Sequence, residues 1–226
     1  MSRRGVRYAA VWGVLVGLLA LPIPAQAQVR ESRYQGRTVA EWQGDLEKRP
    51  LEVRQQAAQA LAHFGPVAVP ALVQALRDVS PEVRQAAAYG LSGMRQAAKD
   101  AVPALAQALG DLDVQVRQVA AWALGTFGPA AEAAVPELIR ALRDSNNVVQ
   151  AEAAHALGAI GPAAKDAAVA LAQAAQGAHS YVRGNIISAL RAIGPAAVIS
   201  ELRRQAERDP ELQPLLELTI GLLGSP

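Results

Sequence analysis

The 226-residue sequence predicts an all-α fold, a right-handed α-solenoid in which consecutive helical hairpins stack into a superhelix. Two observations carry this reading. Hydrophobic residues make up 51% of the chain but aromatic ones only 4%, because the hydrophobicity is mostly alanine and leucine, the residues that lose least side-chain freedom in a helix. One phrase then recurs at an almost constant interval along the chain, the signature of a repeat architecture.

Residues 1–27 stand apart from that repeat. Arg3, Arg4 and Arg7 precede an apolar run from about Ala9 to Leu21, followed by Pro22, Pro24 and Ala25-Gln26-Ala27. A basic segment, a short apolar segment and a small-x-small site together read as a secretory leader cut after Ala27. The run falls short of the roughly 20 apolar residues a membrane span needs. The expected compartment is therefore periplasmic or extracellular, with no membrane insertion once the leader is gone. The whole chain carries a net charge of +2, so losing the three leader arginines leaves −1. That balance offers no basic footprint for nucleic acid. With no cysteine, disulfides add nothing and stability must come from packing.

The repeat is read most clearly in residues 53–78 (VRQQAAQALAHFGPVAVPALVQALRD), 83–111 and 116–144, and more loosely from Val149 and Val182. The starting valines are spaced by 30 and then three times by 33, the first interval shortened by a three-residue deletion between Gly65 and Leu72. Each unit parses into two helices. In the third, Val116, Ala120, Leu124 and Phe127 form one apolar face and Gly128-Pro129 stops the helix. A second helix begins near Pro136, since proline is tolerated in a first turn, and buries Leu138 and Leu142. Neither helix covers its apolar face alone, so stacking makes the core.

The ends depart from the phrase as capping units do. Residues 28–37 read as a flexible lead-in. Thr38 is the expected N-cap of a helix from Val39 to Lys48, with Trp42 and Leu46 turned towards the first full unit. At the other end Pro210 opens a helix to about Leu223 that closes the stack. The predicted domain is thus residues 38–226, with five hairpins and a capping helix at each end.

The phrase Val-Arg-x-x-Ala-Ala-x-Ala-Leu-Gly, then Gly-Pro, Val-Pro-x-Leu and Leu-Arg-Asp, resembles the short bacterial HEAT-like repeat, the type also found in phycobilisome lyases. The resemblance spans roughly residues 38–226, and the Gly-Arg-Thr-plus-Trp opening is similar to that of other exported bacterial HEAT-like proteins. It implies that Arg54, Arg84, Arg117 and Arg183 and the turn aspartates Asp78, Asp111 and Asp144 form a structural ladder. In that ladder the aspartate bonds the backbone and the arginine of the neighbouring unit. Gln150 interrupts the arginines, which predicts a looser fourth interface.

Catalytic constellations are not evident. His63, His155 and His179 fall in different units, none at the spacing of a two-histidine zinc helix. Glu152 and His155 share a helix face, and a metal-dependent enzyme of the helical-repeat hydroxylase type is the enzymatic alternative. The His-Glu pairs of that family are missing here. A bilin-lyase-like activity is the other alternative, but nothing in the sequence points to a pigment pocket, and a repeat type is not an activity. The expectation is a non-enzymatic, monomeric chain without cofactor that binds a protein or peptide.

Two rows of side chains are candidates for that binding. The variable position of the first helices reads Gln59, Tyr89, Trp122, His155 and Ser188. Stacking in order would set Tyr89, Trp122 and His155 side by side, either as an anchoring stripe or filling gaps between helices. The second helices carry Gln74, Gln107, Arg140, Gln173 and Arg204 at one register position, on the face that lines the concave side of such superhelices. That row is either a binding surface or a solvated face.

Overall fold

The computed structural model describes residues 32–48 and 50–224; residues 1–27, where a leader is expected, and residues 28–31 lie outside them. Twelve α-helices occur among the described residues: α1 (Val39–Lys48), α2 (Leu51–Leu61), α3 (Val69–Ala75), α4 (Pro81–Ser92), α5 (Val102–Ala108), α6 (Val114–Phe127), α7 (Val135–Ala141), α8 (Asn147–Ile160), α9 (Ala168–Gly177), α10 (Ser180–Ile193), α11 (Pro195–Ala206) and α12 (Gln213–Leu223). They form five hairpins, α2/α3 to α10/α11, between the end helices α1 and α12. The chain is an α-solenoid, and among the described residues no single helix is long and apolar enough to cross a membrane.

The first helices pack on one another in chain order, α2 on α4, α4 on α6, α6 on α8 and α8 on α10. Their leucines at one register position, Leu61, Leu91, Leu124, Leu157 and Leu190, are fully buried, as are Leu72, Leu105, Leu138 and Leu171 of the second helices. Between them lie buried alanines such as Ala87, Ala120 and Ala153, whose small side chains let backbones approach. Burying each leucine removes a whole apolar side chain from water, about 1.5–3 kcal/mol apiece before entropy is counted.

Within the first four hairpins a 3-10 segment connects the two helices, for example Gly128–Ala134 and Gly161–Ala167. The Gly-Pro stop was expected, but the tight helical turn that follows it is set by packing. Gly65, Gly128, Gly161 and Gly194 all take positive φ at this stop. In the second hairpin the same register position holds Arg95, with φ of 48°. A side chain in left-handed backbone costs about 1–2 kcal/mol. Arg95→Gly is therefore expected to raise stability by about 1 kcal/mol, read as a higher denaturation midpoint with unchanged slope; an unchanged or lower midpoint would contradict it.

The ladder is built differently from the arrangement the resemblance implies. Arg54, Arg84 and Arg117 each reach the aspartate at the end of their own hairpin, at 2.8 Å to Asp78, 2.6 Å to Asp111 and 2.7 Å to Asp144. The neighbour's contribution goes to the backbone. Arg84 Nη1 donates to Asp78 O (2.9 Å) and Arg117 Nη1 to Asp111 O (2.9 Å), so each of these two guanidiniums ties its own hairpin to the turn before it. The aspartates also accept from backbone N–H groups two residues on, at Ser80, Asp113 and Asn146.

Two members depart from the pattern. Arg183 Nε donates to Ala175 O at 3.1 Å, in the last turn of α9. At the interrupted position Gln150 Nε2 donates to Asp144 O at 2.6 Å, replacing the backbone-directed half of the arginine. The next interface along the chain is tight as well: a Cβ at Gly158 would lie 2.8 Å from Ala189 Cα. The expected loosening is not seen, because one carboxamide suffices for the turn carbonyl and a glycine draws α10 onto α8.

Within the expected lead-in, the described residues 34–37 form a turn. Tyr34 and Arg37 exchange backbone hydrogen bonds (2.9 and 3.1 Å) across Gln35 and Gly36, both at positive φ, which makes a two-residue hairpin turn. Tyr34 stacks on His63 at 4.0 Å between ring centres, and Trp42 Nε1 donates to Tyr34 O. Arg37 lies over the Trp42 ring while its guanidinium meets Asp45 at 2.7 Å. Thr38 and Glu41 form a reciprocal capping box.

Candidate functional site

On the first-helix row, Tyr89 stands 65% exposed and its ring packs nearly parallel to that of Trp122, centres 5.4 Å apart at 21°. Trp122 is half-buried, and His155 and Ser188 are exposed. The ring stack ends at Trp122. His155 lies against Gly125, one turn further along α6, where an added Cβ would meet its Nδ1 at 3.2 Å. The expected three-ring stripe is therefore a two-ring stack, an exposed Tyr89 against a half-buried Trp122.

Glu152, one turn before His155, is half-buried, and burial holds its carboxyl above the ordinary range while His155 pulls the other way. Among the described residues no three histidine, cysteine, aspartate or glutamate side chains gather as a metal site would need.

The second-helix row is exposed at all five positions, Gln74, Gln107, Arg140, Gln173 and Arg204. Arg140 pairs with Glu137 at 2.6 Å, and Arg204 binds Glu201, whose carboxyl is pushed down to about 2 by hydrogen bonds from Arg204 and Gln205. Arg143 Nη2 donates to Gln173 Oε1 at 3.3 Å, linking α7's end to α9. A groove of about 510 Å³ opens between α5 and α7, with Gln107, Glu137 and Arg140 among its lining residues. A second groove, of about 460 Å³, lies between α2 and α4 and is bordered by Gln55, Gln59, Gln85 and Tyr89.

Gln55 and Gln85 were not singled out from the sequence. They follow the ladder arginines in the repeated Val-Arg-Gln, where they read as ordinary surface positions of a helix's first turns.

A solenoid of stacked hairpins with long side-chain rows and open grooves is the architecture of a repeat scaffold suited to protein interaction. The chain belongs to the HEAT repeats, whose family model matches residues 46–111 and 102–191. No curated protein matches it. Among solved structures, the complex of CpcE and CpcF of phycocyanin lyase from Nostoc sp. PCC7120 is similar at 25% identity and a TM-score of 0.59, covering 85% of this chain and 79% of that one. A designed armadillo repeat protein aligns at 18% identity and TM-score 0.55, covering 82% of this chain and all of the other. Kap121p bound to Nup53p aligns at 18% identity and TM-score 0.58, over 82% of this chain but only 23% of that one.

Proposed function

We propose that this chain is a non-catalytic scaffold that holds a protein or peptide partner in the cell envelope. The observation that carries the reading is the Tyr89–Trp122 platform. A large ring kept two-thirds exposed by a stacked partner supplies contact area at little entropic cost. The repeat architecture supports it, and so do structural neighbours seen in complex with other proteins, such as Kap121p with Nup53p. The envelope location rests on the leader-like residues 1–27.

Cross-linking in intact cells, followed by fractionation and mass spectrometry, tests both parts. The expected result is an envelope-fraction partner joined through the first-helix face, with capture reduced at least about tenfold by Tyr89→Ala with Trp122→Ala. Undiminished capture would remove this face as the site, and recovery only from the cytoplasm would remove the envelope assignment. The likeness to CpcE–CpcF supports a second reading, a lyase component, which predicts a chromophore-bearing protein as the cross-linked partner.

A further inference from the structure

A second row runs beside the aromatic one. Gln55, Gln85 and Gln118 occupy one register position of α2, α4 and α6, and all three are half-buried. Four residues on, the same helices present Gln59, Tyr89 and Trp122. Positions four apart share a helix face, so each carboxamide lies one turn from the next row's side chain. Gln55, Gln59, Gln85 and Tyr89 border the groove between α2 and α4, where Val119 and alanines supply apolar surface. Its lining includes no lysine or arginine and one carboxylate, Glu82, which accepts from the Ser80 hydroxyl.

Building on the scaffold reading above, we infer that this face holds an uncharged, proline-rich protein segment in the polyproline II conformation, laid across α2, α4 and α6. The spacing selects the conformation. Packed helices lie about 8–10 Å apart, and the first helices pack directly on one another, α2 on α4 and α4 on α6. Polyproline II repeats every three residues at about 3.1 Å each, so one turn advances about 9.3 Å and matches one helix-to-helix step. The two-residue repeat of a β-strand, about 6.6 Å, falls out of register at the next helix.

The chemistry agrees with the spacing. A polyproline II segment leaves its carbonyls without internal partners, and a glutamine Nε2 is a donor that can meet every third one. The Tyr89 ring, backed by Trp122, offers the flat aromatic surface on which proline-rich segments dock. A charged segment would lose hydration in this groove and find no lysine or arginine to pair with its acids.

The test is calorimetric titration of the full chain with a capped peptide of about twelve residues, proline at every third position and serine or alanine between. A copy with alanine for proline and a neutral oligosaccharide of β-linked N-acetylglucosamine serve as the other ligands. The expected result is binding of the proline peptide, at least about tenfold weaker binding of the alanine copy, and about tenfold losses with Tyr89→Ala and with Gln85→Leu. Lys99→Ala, exposed on the 3-10 segment of the second hairpin and absent from the groove's lining, should bind as the unaltered chain does, with helical circular dichroism retained throughout. Equal affinity for the two peptides, no binding of either, or binding of the oligosaccharide alone would overturn the inference. A cellular partner cross-linked at Tyr89 through a segment without proline would also overturn it, and would leave the scaffold reading standing.

Discussion

Asp144→Ala is expected to lower the unfolding free energy by about 2 kcal/mol. The carboxylate accepts from Arg117 Nε (2.7 Å), from Arg117 Nη2 (3.0 Å) and from the Asn146 N–H (2.8 Å). Its removal leaves a guanidinium with 15% of its side chain exposed and without the carboxylate it hydrogen-bonds. A fully buried pair broken in this way costs about 3–5 kcal/mol; residual access of the guanidinium to water lowers the figure. The double variant Arg117→Ala with Asp144→Ala should cost less than the two single losses together, because no orphaned charge remains. Removing the exposed Arg140–Glu137 pair, by contrast, should move stability by no more than about 0.5 kcal/mol. Chemical denaturation of the four variants decides it, and additive single losses would deny that the pair acts as a unit.

The same contacts give stability a pH dependence of definite sign. Burial pushes the Asp111 and Asp144 carboxyls up, but Arg84 and Arg117 and the backbone N–H groups outweigh it and hold both below 3.8. A carboxyl depressed in the folded state contributes its full stability above its unfolded value and loses it as pH falls through the folded one. Acid unfolding should therefore set in below about 4.5, the ordinary glutamate value, and run towards about 2, where Glu201 titrates. Glu152 acts with the opposite sign: raised by burial, it opposes folding once pH exceeds its ordinary 4.5. In Asp144→Ala the acid limb should be shallower.

The fold was legible because the residues that make it are written repeatedly. Leu91, Leu124 and Leu157, and the prolines that open α5 and α7, recur at one interval, and periodic burial needs no further information. What escaped the sequence depends on single atoms meeting across repeats. Arg95 sits at the left-handed position that glycine holds in the other four hairpins, and its residue type does not announce that backbone. The Tyr34–Arg37 turn escaped because Gln35 is a rare residue at positive φ, where asparagine would have signalled it. The direction of the ladder depends on which hairpin's carboxylate each arginine's Nε faces, and register alone is equal for both. At the site, exposure of Tyr89 could be argued from its variable position. The turn of His155 onto Gly125 could not, since it follows from one glycine on the neighbouring helix.

Gly158 shows how such a contact governs the whole array. A Cβ there would lie 2.8 Å from the backbone Cα of Ala189 and 3.2 Å from its Cβ, and backbone cannot swing aside as a side-chain tip does. Gly158→Leu must displace α10 from α8, at an expected cost of about 3 kcal/mol. In a solenoid each hairpin touches chiefly its neighbours, so stability is close to a sum of unit and interface contributions. The loss should consequently fall on one interface, and α10, α11 and α12 should unfold ahead of α2 to α7. Hydrogen exchange would then show protection lost across residues 180–223 with little change before α8, and denaturation would separate into two phases. Gly177→Leu, with nothing within 4 Å of its added Cβ, should stay within about 0.5 kcal/mol of the unaltered chain. A single transition at the original midpoint in Gly158→Leu would mean that α8 and α10 adjust without strain, and that the tightness of this interface is not what couples the last hairpin to the rest.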